Sequence, residues 1–193
     1  MNAIKDYFDT MANSWDAMEK KKDEEILPLL KKIGIQKGDY VLDLGCGTGR
    51  ITGLLHSLNE GPVFGLDISS NMIALARKKY EGKGYASFDV GDFLNKTFEK
   101  PFDVIVIYNA FPHFLDVDKF SSSLANNLKV GGKFAIVHSL SREQLSHVHN
   151  KCDHKTTRAL SSPEKESERF QKQFDILLAE EDNSSYLIVG KKR

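Results

Sequence analysis

An apolar run leading into three alternate glycines, Tyr40-Val41-Leu42-Asp43-Leu44-Gly45-Cys46-Gly47-Thr48-Gly49-Arg50, constrains this chain more than any other stretch. Residues 40–44 are short, apolar and β-branched at Val41, which reads as a buried strand. Gly45, Gly47 and Gly49 then interrupt it, and Thr48 is placed to cap the next helix. Ile51, Leu54, Leu55 and Leu58 recur at helical spacing. Strand, glycine loop and helix together open a nucleotide-binding βαβ unit. Glycine permits the unusual φ/ψ of a tight turn and lets a ligand approach bare backbone, while the helix behind the loop presents unpaired N–H groups.

The spacing narrows the ligand. A dinucleotide loop reads Gly-x-Gly-x-x-Gly, whereas here the third glycine comes one residue early. Asp43, two residues before the loop, would repel a pyrophosphate but suits a ligand with positive charge. S-adenosylmethionine has that character, with an ammonium, a sulfonium and one carboxylate. The string Val41-Leu42-Asp43-Leu44-Gly45-Cys46-Gly47-Thr48-Gly49 resembles motif I of the class I S-adenosylmethionine-dependent methyltransferases. That resemblance implies a Rossmann-like α/β fold: a seven-stranded, mostly parallel sheet in the order 3-2-1-4-5-7-6, strand 7 antiparallel, with helices on both faces.

Further features come in the order such a fold requires. A second strand, residues 63–67, ends in Asp67, where ribose hydroxyls are accepted, and Ile68 comes next; a cap or turn role is the plainer alternative for Asp67. Ser69 or Ser70 is placed to cap a helix running to Tyr80. A third strand, 85–90, precedes Gly91-Asp92-Phe93. In the resembling family an acid here bonds the adenine amino group and the next apolar residue lies against the ring, which implies those roles for Asp92 and Phe93. The fourth strand, 102–108, is apolar on both faces. Asn109, Ala110 and His113 stand at its carboxyl end, where ligands of open α/β sheets bind. His113 is either a substrate contact or a loop cap.

Residues 117–128 read as a helix, and Lys129-Val130-Gly131-Gly132 as its exit through a left-handed cap. His138 ends a fifth strand, 133–139, and is either a general base or a hydrogen-bonded core histidine. The chain closes with two strands, 174–181 and 185–191, over a short polar turn. An antiparallel hairpin in this place marks the class I methyltransferase fold; an ordinary dinucleotide domain would add a helix-connected parallel strand.

The flanking segments are less specific. Tyr7, Phe8, Met11, Trp15 and Met18 keep roughly helical spacing. The string Tyr7-Phe8-Asp9-Thr10-Met11-Ala12-Asn13-Ser14-Trp15-Asp16 resembles the N-terminal segment of ubiquinone/menaquinone-biosynthesis-type methyltransferases, where such a segment closes over cofactor and substrate; simple packing onto the sheet is the alternative. Lys20 to Glu25 reads as a solvated helix face, and Pro28 as the start of a helical turn. Ser141-Arg142-Glu143-Gln144 opens a helix with a capping box. His147, His149, Cys152 and His154 cluster within eight positions, but their spacing matches no zinc pattern, so no metal is expected. The organisation expected is one domain over 1–193: a helical cap (1–39), a cofactor-binding core (40–139), a helical insertion or lid (140–172) and a terminal hairpin (173–193).

Composition excludes several classes. Lys+Arg and Asp+Glu each total 27, so the net charge is zero, which argues against a general nucleic-acid or membrane-surface binder. Two cysteines imply no disulfide framework. No signal-type or membrane-spanning run is evident, so a cytoplasmic protein, monomer or homodimer, is expected. The function expected is methyl transfer from S-adenosylmethionine to a small-molecule acceptor, with His138 or His113 as base. The alternatives are a nicotinamide-dependent oxidoreductase, disfavoured by Asp43 and the early glycine, and a non-catalytic S-adenosylmethionine-binding module.

Overall fold

A computed structural model describes residues 3–18, 20–149 and 156–193, with backbone alone for 147–149. Seven strands form one sheet: β1 (Val41–Leu44), β2 (Val63–Asp67), β3 (Ala86–Val90), β4 (Phe102–Tyr108), β5 (Leu128–His138), β6 (Phe174–Glu181) and β7 (Tyr186–Lys192). Their order is β3-β2-β1-β4-β5-β7-β6, with β7 antiparallel to both neighbours and the other pairings parallel. This is the order expected. The central strands β1 and β4 are buried almost throughout, so both faces must be covered.

Two cores do so. On one face Leu42, Leu44, Ile105 and Ile107 pack with a set of aromatics, among them Phe93, Phe111, Phe120, Phe134 and Phe170. Helix α5 (Val117–Asn127) and the short helix Pro163–Ser167 (α7), with the turn directly after it, lie on this side. On the other face Val41, Val104, Val106, Ala135 and Val137 meet Ile26, Leu30, Ile51 and Leu55 from α2 (Asp23–Lys31) and the segment of α3 (Thr52–Asn59). The alternation within β4 and β5 comes from the two-residue strand period.

Several local expectations are corrected. Pro28 lies inside α2 rather than starting a turn. It is tolerated because Pro28 and Glu24 are both exposed, so the carbonyl deprived of its donor faces solvent. Lys20 to Glu25 is not one helix face, since helix α1 (Ala3–Met18) ends before it and α2 begins at Asp23. The Gly131-Gly132 pair is no helix exit. Helix α5 passes directly into β5 at Leu128, and Gly131, at φ +76°, lies where the pairing register with β4 shifts between Phe102 and Val104. The last carbonyls of α5 are satisfied instead by Lys192 Nζ, which donates to Ala125 O at 2.5 Å and Leu128 O at 2.8 Å. The reciprocal bonds Ser141 N–H to Gln144 Oε1 (3.0 Å) and Gln144 N–H to Ser141 Oγ (3.3 Å) do open helix α6 (Arg142–His149). Among the described residues no helix is long and apolar enough to cross a membrane.

Candidate functional site

The glycine loop leaves β1 at the carboxyl edge of the sheet. Gly45, Gly47 and Gly49 all have positive φ, at 68°, 53° and 81°. Close packing explains two of them as much as ligand approach does. A Cβ on Gly45 would stand 2.7 Å from that of Ala110, and one on Gly49 would stand 2.7 Å from the Tyr80 ring. Tyr80 braces the loop from the end of helix α4 (Ser70–Lys79), its hydroxyl donating to Gly49 O at 2.8 Å and accepting from Gly53 N–H at 2.9 Å. Nothing in the local pattern had marked Tyr80.

Asp43 is 1% exposed and accepts a hydrogen bond from the neutral Thr52 hydroxyl at 2.7 Å. Burial pushes its carboxyl up to about 7; the Thr52 bond opposes the shift and the charge of Asp67 adds to it. Asp67 Oδ2 accepts Gly47 N–H and its Oδ1 accepts Ser69 N–H, each at 2.8 Å. Burial raises Asp67 too, against those backbone donors. Each Asp67 oxygen keeps a second lone pair for a hydroxyl. Cys46 is buried, its thiol pushed up by desolvation, and Ile68 is half-buried beside Asp67. Ser69 caps α4 as expected, accepting from Met72 N–H.

Other expected site residues take different parts. Thr48 caps nothing: α3 begins with Ile51 and no side-chain cap, while the Thr48 hydroxyl donates to Asp16 of α1. Phe93 is 2% exposed, packed with Phe98 and Phe120 inside the core, so its ring is spent there and is not displayed to an adenine. Asp92 is half-exposed, and its two oxygens accept from Leu94 N–H at 3.0 Å and Asn95 Nδ2 at 2.6 Å. Asn109 holds φ +53° and pins β4 to the end of β5: its Nδ2 donates to Ser139 Oγ and its Oδ1 accepts Ser139 N–H, both at 3.0 Å.

The two histidines separate. His138 has no exposed surface and meets the Tyr186 ring at 5.7 Å, so it is a core residue without a path to an acceptor. His113 is half-buried at the carboxyl end of β4, its Nδ1 2.7 Å from Thr156 O and its ring edge-on to Phe8 at 4.8 Å. The side chains of His147 and His149, and the whole of Cys152 and His154, lie outside the described residues.

Helix α1 spans these parts. The Trp15 indole lies 3.5 Å from where a Gly47 Cβ would stand, Asp9 bonds the start of α4, and Phe8 reaches His113. The N-terminal segment therefore reaches residues that follow β1, β2 and β4.

A family model described as a methyltransferase domain matches residues 35–182. A methyltransferase of Anoxybacillus flavithermus is 32% identical over 150 residues, covering 72% of this chain and 69% of its own. The demethylmenaquinone methyltransferase of Lactobacillus johnsonii is 32% identical over 113 residues, covering 55% of this chain and 46% of its own. The chain spans about half the length of several of the curated relatives it matches. Among solved structures, a Haloferax volcanii methyltransferase in complex with the Trm112 methyltransferase activator superposes with TM-score 0.82 over 96% of this chain and 97% of its own. At 24% identity that likeness shows the fold alone.

Proposed function

This chain belongs to the methyltransferase-domain family of S-adenosylmethionine-dependent enzymes, and on that premise we propose that it transfers a methyl group from S-adenosylmethionine to a small-molecule acceptor. One observation carries the reading: a buried Asp43, reinforced by the half-buried Asp67, stands at the mouth of a positive-φ glycine loop. Two carboxylates, one of them enclosed and the other half-buried, favour a cation beside them and oppose a chain of phosphates. The nicotinamide alternative is set aside for the same reason.

Asp43 and the backbone of Gly45, Cys46, Gly47, Thr48 and Gly49 would hold the methionine end. Asp67, with Ile68 beside it, would accept the ribose hydroxyls, and Asp92 would bond the adenine edge. Asn109 and Ala110 would border the methyl-transfer space. Bound there, the cofactor supplies an electrophilic methyl carbon on a sulfonium. The remaining task of the protein is alignment and proton removal. Nδ1 of His113 donates to a carbonyl, which can only accept, so the lone pair of the neutral ring lies on Nε2. That nitrogen would take the proton from an oxygen or nitrogen acceptor as the methyl carbon bonds to it. Phe8, Trp15 and the rest of α1 exclude water from above.

A small-molecule acceptor is supported by the zero net charge and by relatives whose names give small acceptors, demethylmenaquinone among them. Calorimetric titration with S-adenosylmethionine and with S-adenosylhomocysteine tests the cofactor. Release of S-adenosylhomocysteine across a panel of phenols, quinols and amines tests the transfer. A folded protein that binds neither compound would sink the proposal.

A further inference from the structure

Residues 156–158 run beside residues 111–114 and contact each of them. Arg158 N–H donates to Pro112 O at 3.0 Å, Arg158 Nε to Phe114 O at 3.3 Å, and His113 Nδ1 lies 2.7 Å from Thr156 O. The Arg158 guanidinium stands 4.5 Å above the Phe111 ring. An ion pair holds this segment. Arg158 Nη2 is 2.9 Å from Glu166 Oε1, with the Glu166 side chain 1% exposed and that of Arg158 18%.

Glu166 in turn accepts Ser161 N–H through Oε2 at 3.1 Å and has Arg169 Nε 3.5 Å from Oε1. The Tyr186 hydroxyl donates to Ser161 O at 3.3 Å, tying the assembly to β7. A buried pair of this kind adds little net stability compared with an apolar replacement, but losing one partner leaves an uncompensated charge. Its position suggests why it is present. Of residues 111–114, which the segment borders, His113 is the one with titratable chemistry, and its ring nitrogen meets the segment's backbone.

We propose that Arg158 and Glu166 are positioning residues for His113. The pair holds the Thr156 carbonyl against Nδ1, the carbonyl keeps the ring hydrogen there, and Nε2 carries the lone pair that takes the acceptor's proton. The Nδ1–H tautomer is the one a free histidine side chain disfavours in water, so it needs this fixed acceptor. The inference rests on the reading of His113 as the base, and its test is independent of turnover.

Side-chain nitrogen NMR of uniformly labelled protein, with His113 assigned by the His113→Gln spectrum, reports the tautomer directly. The wild type is expected to show Nδ1–H at His113, and Nε2–H there would overturn the proposal without any variant. In Glu166→Gln, and in Arg158→Lys as the milder second variant, the Nε2–H form is expected to become the major one. Turnover is expected to fall about tenfold, with KM for the acceptor and calorimetric affinity for S-adenosylmethionine within twofold. A folded variant that keeps the wild-type tautomer overturns the relay. Undiminished turnover in His113→Gln instead overturns the base reading, whatever the tautomer shows.

Discussion

Asp9 and Ser69, sixty residues apart, share a hydrogen bond of 2.6 Å: the Ser69 hydroxyl donates to Asp9 Oδ1, which also accepts Asn71 N–H at 3.1 Å. Helix α1 thereby bonds the first turn of α4. The Lys5 ammonium, and after it the Ser69 hydroxyl, hold the Asp9 carboxyl at about 2. This depressed value means the latch is intact above the usual carboxylate range and lost as pH falls through the shifted value.

Asp9→Ala is therefore expected to loosen α1 at neutral pH, at a cost of about 1–2 kcal/mol. Trp15 is the sole tryptophan and lies on the same helix, so its fluorescence reads the change. A red-shifted emission in the variant, reproduced in the wild type near pH 2–3 before global unfolding, is the expected result. Identical wild-type and variant spectra would show that Asp9 does not hold the helix down.

Cofactor affinity should rise with pH around Asp43. Its carboxyl titrates at about 7, and only the ionised form attracts an ammonium, so affinity increases from pH 6 to pH 8 by about tenfold and then levels. Binding near pH 7 should release a proton, seen as a buffer-dependent calorimetric heat. Asp43→Asn should bind weakly and without that dependence.

The same group sets a stability effect of opposite sense. The folded state keeps the Asp43 proton up to about pH 7, while the unfolded chain loses it at the ordinary value of 3.8. Stability from this group is thus present below 3.8, declines between the two values and is fully lost above the higher one. Asp43→Asn should then raise the Tm of the ligand-free protein more at pH 8 than at pH 5. Equal shifts at the two pH values would contradict the burial argument.

Gly45→Ala and Gly47→Ala should fail differently. Both place a side chain at positive φ, costing of order 1–3 kcal/mol. At position 45 the new methyl also meets Ala110 at 2.7 Å, so urea midpoints should fall further there. At position 47 the nearest atom is Trp15 Nε1 at 3.5 Å, ordinary contact, so the fold should survive better while cofactor binding is lost.

Asn109→Ala should cost about 1–3 kcal/mol, since it removes both bonds to Ser139 and leaves alanine in the left-handed region. Asn109→Gly should cost less because glycine accepts that backbone. Denaturant unfolding of the three proteins orders them, and an alanine variant as stable as the glycine one would remove backbone strain from the account.

Much of this protein was written in short-range pattern. The run of residues 40–44 with its three glycines placed the strand and the glycine loop, apolar stretches placed the other strands, and the polar turn at residues 182–184 announced the closing hairpin. These are decided by backbone sterics and by burial periods of two and 3.6 residues, which neighbours in the chain suffice to express. Other outcomes needed contacts that no local period encodes. Thr48 turned from α3 toward Asp16, Phe93 went into the aromatic core, and His138 was enclosed while His113 stayed at the site edge. Asp9 over Ser69 and Arg158 against Glu166 likewise join parts of the chain that only the folded packing brings together. A polar side chain bonds whatever donor or acceptor the completed packing sets within about 3 Å, so its partner is a property of the three-dimensional arrangement and not of its place in the chain.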